Sequence, residues 1–100
     1  MKSDRQIYMD FQRADNTVEE LRQIARETRL VAEEQLSGAL NRVGESWAGE
    51  NADLFLQRGE RIKGNAFVLA DNVDKIADAI ATIAERTYKK EMEAIRIANE

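Results

Sequence analysis

Apolar residues recur through the first half of the chain at Ile7, Phe11, Ala14, Val18, Leu21, Ala25 and Ala32, with Thr28 at the one polar place in the series. The steps alternate between four and three, which is the helical period, and the period of two that a strand needs is absent. Ser3 and Gln6 have the spacing of a capping box and open this helix. Asn16 with Glu19 offers a competing later start, which would leave a looser N-terminal arm. Beyond Ala32 the stripe moves to Leu36, Leu40, Val43 and Trp47. That extra step of four is a stutter, expected to unwind a supercoil locally.

The second half repeats the pattern more strictly. Ala52, Phe55, Gly59, Ile62, Ala66, Leu69, Val73, Ile76, Ile80, Ile83 and Thr87 step by three and four without a break, the heptad signature of a coiled-coil-like helix. Leu69, Val73, Ile76, Ile80 and Ile83 are expected at the centre of its buried stripe. Gly59 falls in the seam and Gly64 outside it, each costing about 1 kcal/mol against alanine. A neighbour packed closely on Gly59 would explain its presence. The last stretch, from Thr87 onward, keeps helical composition but loses the strict heptad.

The two stripes predict helices over about 4–43 and 50–95, joined by a turn between Gly44 and Gly49. Gly44 reads as the helix stop, Gly49 supplies backbone freedom, and Glu50 and Asp53 suit the start of a helix. Trp47, the only tryptophan, then sits at the tip of a helical hairpin. A purely structural reading makes it a plug at the end of the seam.

One hundred residues make a single domain, 1–100, too short to bury a sizeable core without help. Beside the second helix's stripe runs the column Leu56, Lys63, Ala70, Ala77, Ala84, apolar at four of its five places. Ile24, Leu30 and Val31 likewise flank the first stripe. A seam this wide suits a bundle better than a two-stranded contact. The expected architecture is therefore all-α, an antiparallel two-helix hairpin pairing into a four-helix bundle dimer, with Leu56, Ala70, Ala77 and Ala84 in the dimer interface.

Proline is absent, which favours long uninterrupted helices. The net charge of −4 is spread evenly, seven basic and nine acidic groups in residues 1–49, eight and ten in residues 50–100. Neither half is a basic arm, so nucleic acid is not an expected partner. No stretch approaches the roughly 20 apolar residues that cross a bilayer. The N-terminus carries no apolar core of a secretory signal peptide.

With no histidine and no cysteine, the commonest general base, the thiolate nucleophile and most zinc sites are missing. Glu19, Glu20, Glu33 and Glu34 lie outside the seam and read as a solvated face. No Gly-rich phosphate loop is present. The expectation is no catalytic residue, no metal, no cofactor and no enzyme, leaving protein–protein recognition.

The layout of two heptad helices around a central Trp47-x-Gly49, in a hundred-residue chain without proline or cysteine, resembles the WXG100 family of early-secreted-antigen-like type VII secretion substrates. The resemblance covers essentially the whole chain, and Phe55 is similar to the aromatic that often opens the family's second helix. It implies a small protein secreted without a cleaved signal peptide, cytoplasmic before export, that pairs as a homodimer or heterodimer with a similar helical hairpin. It also implies recognition of Trp47 and Gly49 by a secretion ATPase. Members often carry Tyr-x-x-x-Asp/Glu near the C-terminus; here Tyr88 meets Met92 at that spacing, and Tyr88-x-x-Glu91 stands as a variant. An alternative is a cytoplasmic targeting adaptor that binds the helical N-terminal domain of a larger secreted toxin. A further alternative is a purely structural coiled-coil module.

Overall fold

The computed structural model describes residues 2–100, and among them it contains helices and no strand. Helix α1 spans Asp4–Leu30, a π-helical segment follows at Val31–Leu36, α2 spans Ser37–Ser46 and α3 spans Glu50–Ala98. The capping box opens α1 as expected: the Ser3 amide donates to Gln6 Oε1 at 2.9 Å, and the Gln6 amide donates to Ser3 Oγ at 3.2 Å. The competing start at Asn16 is not used, since α1 runs through it.

The chain divides into two compact units. One comprises the residues up to Arg22 together with Asp74–Glu100, and the other comprises Gln23–Val73. In the terminal unit the two helical stretches run antiparallel. Phe11 stacks obliquely on Tyr88, with ring centroids 5.0 Å apart, and the Arg22 guanidinium donates to Asp78 at 2.9 Å. Ile7, Val18 and Ala77 are buried there. The turn unit is a helical hairpin, in which Arg29 reaches Asp71 at 2.7 Å and Leu40 lies against Gly59. Its buried residues are Ala25, Ala32, Leu40, Ala52 and Ala70.

The first stripe is the buried face of α1, as its period requires. The stutter is resolved by the π segment. A regular helix would continue the seam after Ala32 to Gln35, Ala39, Arg42 and Ser46. One surplus residue absorbed in a π turn moves it to Leu36, Leu40, Val43 and Trp47. The hydrophobic pattern, not backbone preference, selects this turn. The Ser37 hydroxyl donates to the Ala32 carbonyl five residues back at 3.3 Å.

The buried face of α3 differs from the one expected. The column Ala52, Gly59, Ala66, Val73, Ile80 is buried at Ala52 and half-buried at the other four, but its companion is the alanine column, not the isoleucine column. Ala70 and Ala77 are fully buried within the single chain. Leu56 and Ala84 are half-buried on that same side. Ala70 and Ala77 thus belong to the seam inside each unit, and Leu56 and Ala84 border it. Leu69, Ile76 and Ile83 are exposed, with Ile76 at 53%, while Val73 and Ile80 are half-buried. The physical reason is size. Alanine lets two helix axes approach closely, whereas a column of isoleucines would hold them apart.

That choice leaves a thin core. An alanine buries one methyl group, and each buried carbon contributes about 0.8 kcal/mol. Among the described residues no large side chain is fully buried. On α3 the bulky residues Ile62, Leu69, Ile76 and Ile83 sit outside the seam.

Candidate recognition site at the turn

The sequence places the only tryptophan where the helix ends, and the backbone explains why it ends there. The Trp47 amide still donates to the Val43 carbonyl at 2.9 Å, but Trp47 itself is extended, at φ −138° and ψ 132°. Gly44 is not the stop that the sequence suggested. It stays inside α2, because a single glycine weakens a helix without ending it. The reversal falls at Gly49, which has a φ of +111°, the only positive φ among the described residues. A side chain there would be strained although nothing lies within 4 Å of it. The Gly49 carbonyl then accepts from the Asp53 amide at 3.1 Å, starting α3. Glu50 and Asp53 lie in that first turn, where negative charge favours the exposed amides.

This backbone presents the indole instead of burying it. Trp47 is 50% exposed, and its ring leans on Phe55 with centroids 5.9 Å apart and planes at 59°. Phe55, itself half-exposed, supports one side of the indole. The result is a two-ring platform at the turn. A ring plugging the seam would be covered on both faces, and this one is not.

Tyr88 and Glu91 lie in the terminal unit. They are neighbours on one face of α3, as their spacing requires, and that face meets α1. Tyr88 is half-buried against Phe11, and the two rings help to line an apolar groove shared with Ile7, Ile80 and Glu91. Glu91 is paired with Lys2 at 3.4 Å, and Lys2 also binds Asp10 at 2.8 Å. Hydrogen bonding to Lys2 holds the Asp10 carboxyl below its ordinary value, and the same bond, with that to Glu91, raises the Lys2 ammonium. The structure therefore brings Tyr88 and Glu91 together, while Trp47 and Gly49 belong to the turn unit. Sequence reasoning missed Lys2 and Asp10 as partners of Glu91, since nothing in the spacing links the N-terminus to residue 91.

A second groove lies in the turn unit, about 410 Å³, between α2 and α3. It is lined by Leu36, Leu40, Val43, Phe55, Gly59 and Ile62, with Leu40 packed on Gly59 and Arg58 as the one charged residue. Heptad reasoning had marked Gly59 but had no signal for the groove. It depends on the π turn that brings Leu36 and Val43 to this face.

The described residues hold no group of three or more acidic, histidine or cysteine side chains placed to bind a metal ion. No helix among them is long and apolar enough to cross a membrane. These features define an all-helical protein with an aromatic turn and unpartnered apolar helix faces. The chain matches no family model, no curated protein and no solved structure.

Proposed function

We propose that the protein is a small substrate or partner protein of a type VII-like secretion system, acting by recognition and not by catalysis. The observation that carries this reading is the half-exposed Trp47, held on a turn that Gly49 fixes and backed by Phe55. An amphipathic ring in that setting offers one apolar face and one N–H donor to a partner. The resemblance of Trp47-x-Gly49 between two heptad helices assigns that partner as the secretion ATPase. Tyr88 and Glu91 complete the recognition surface, supplied from a second chain.

The protein pairs with a similar helical hairpin, and four helices then share one core. The support is the shortage of large buried side chains in a single chain together with the exposed heptad residues of α3. The protein is cytoplasmic before export and secreted without a cleaved leader. Its work needs no cofactor.

A Trp47→Ala variant in the producing cell tests the reading. Near-normal intracellular levels and normal association with lost secretion are expected. Normal export of the variant, or loss of its fold, would overturn it.

A further inference from the structure

The groove between α2 and α3 joins an apolar trough to a single cation. Leu36, Ala39 and Val43 form one wall, at helical spacing over a length of about 10 Å. Phe55 and Ile62, one heptad apart on α3, form the other. Leu40 covers Gly59 and is itself buried, so it closes the floor. The volume of about 410 Å³ is the space left with Leu40 in place, and it falls in the usual range for small-molecule sites.

Arg58 stands at the rim of this trough. Among the described residues it has no hydrogen bond or ion pair, whereas Arg22 and Arg29 are each held by an aspartate. The acids nearest to it in sequence do not approach the groove. Asp53 and Glu60 lie five positions before it and two after, which turns both to the far side of α3. Glu60 faces Lys63 there, at 4.0 Å. The rim is therefore cationic, in a chain whose net charge is −4.

The terminal unit supplies the contrast. Its groove of about 240 Å³ is also mainly apolar, but its edge carries Asp10 and Glu91, both engaged by Lys2. An anion would meet two like charges there and an unpaired guanidinium in the turn unit. A carboxylate matches a guanidinium through two parallel N–H···O bonds. A trough about 10 Å long seats one aliphatic tail, whereas a docked protein covers about 800 Å². The geometry points to a binding site for a medium-chain fatty acid, its tail along Leu36, Val43 and Ile62 and its carboxylate on Arg58. This site goes beyond the export reading and does not depend on it.

Trp47 is a built-in probe, since its ring leans on Phe55, a wall of the groove. Decanoate, below its micelle-forming concentration, is titrated into the full-length chain while Trp47 emission is recorded and calorimetry gives the stoichiometry. Phe55 and Ile62 also belong to the face offered for pairing, so the protein is kept at the lowest concentration that emission allows. Saturable one-to-one binding is expected, with the neutral analogue decanol about tenfold weaker. Arg58→Gln should weaken decanoate about tenfold and leave decanol unchanged. Ile62→Ser should weaken both at least about fivefold. Ile83→Ser, in the wall of the terminal groove, should change neither. All three substitutions fall at exposed positions and should keep helicity, which is recorded alongside. Absence of saturable binding overturns the inference, as does decanol binding as tightly as decanoate. So does decanoate binding that is indifferent to Arg58→Gln, or weakened as much by Ile83→Ser as by Ile62→Ser. A response to anionic vesicles alone, without one to dissolved decanoate, also overturns it. Secretion of the Trp47→Ala variant is read separately, so either reading can fail while the other stands.

Discussion

Replacing Gly59 by alanine separates packing from helix propensity, because Gly64 on the same helix supplies the control. Alanine is about 1 kcal/mol better than glycine in a helix interior. At Gly64 a new Cβ would meet nothing within 4 Å. Gly64→Ala should therefore stabilise the protein by about 0.5–1 kcal/mol and raise its melting temperature by several degrees. At Gly59 the same atom would lie within van der Waals radii of Leu40: 3.2 Å from Cγ, 3.2 Å from Cδ1 and closer still to Cδ2. Three atoms of one branched head cannot be relieved by turning a terminal methyl, and Leu40 is buried at 8% exposure. Overpacking of this kind costs about 1–3 kcal/mol. After the propensity gain, Gly59→Ala should be neutral to about 2 kcal/mol destabilising, so the two variants should differ by about 1–3 kcal/mol.

Urea denaturation followed by helical ellipticity, at one fixed protein concentration, gives both values. The cause is isolated by repeating the substitution in a Leu40→Ala background. There the clash is gone, and Gly59→Ala should stabilise the protein as Gly64→Ala does. Equal stabilisation by Gly59→Ala and Gly64→Ala in the otherwise unchanged protein would refute the interlock of Leu40 with Gly59.

Four further outcomes are expected. Ala77→Asp places an unpaired charge in a fully buried position and should cost several kcal/mol even in the dilute, dissociated chain, whereas Ile76→Asp at an exposed position should keep the helicity of the dissociated chain and act only on association; thermal melts of the two across a dilution series decide which column is the seam. Gly49→Ala should cost about 1–3 kcal/mol through backbone strain alone, measured by denaturation, with both helices retained. Deletion of Glu34 should convert the π segment to regular helix and keep the seam and the stability, while deletion of Glu20 in regular α1 should rotate all later positions by about 100° and abolish cooperative melting. The Lys2–Asp10 contact should hold the first turn of α1 within a pH window: Asp10, lowered by Lys2, contributes above the ordinary carboxylate range and loses its effect as pH falls through its depressed value, and Lys2, raised by Asp10, contributes below 10.5 and loses it as pH rises through its raised value; amide exchange of residues 4–10 should lose this dependence in Lys2→Ala.

The helices and the position of the turn were legible in the sequence because both rest on period alone. Ser3 and Gln6 announced the start of α1, and the seam from Ile7 to Ala32 needed no information beyond its spacing. The stutter after Ala32 was legible as a phase shift but not as a π turn, because a pattern of four and three fixes which residues face inward and leaves the backbone route open. The choice of face on α3 was not legible. The column containing Gly59, Ala66, Val73 and Ile80 is flanked on one side by Phe55, Ile62, Leu69, Ile76 and Ile83, and on the other by Leu56, Lys63, Ala70, Ala77 and Ala84. Periodicity treats the two flanks as equivalent, and hydrophobicity favours the isoleucines. What decides between them is complementarity with the opposite helix, which a single helix's pattern does not contain. Ile7, Phe11, Val18, Leu21 and Leu40 bring bulk from α1 and α2, so small residues must answer it from α3. The charges point the same way, since Arg22 and Arg29 reach Asp78 and Asp71 beside the alanine flank. Once the alanines are spent inside each unit, the isoleucine flank has no partner within the chain. Under the pairing proposed above, its heptad spacing is the pattern that a partner reads.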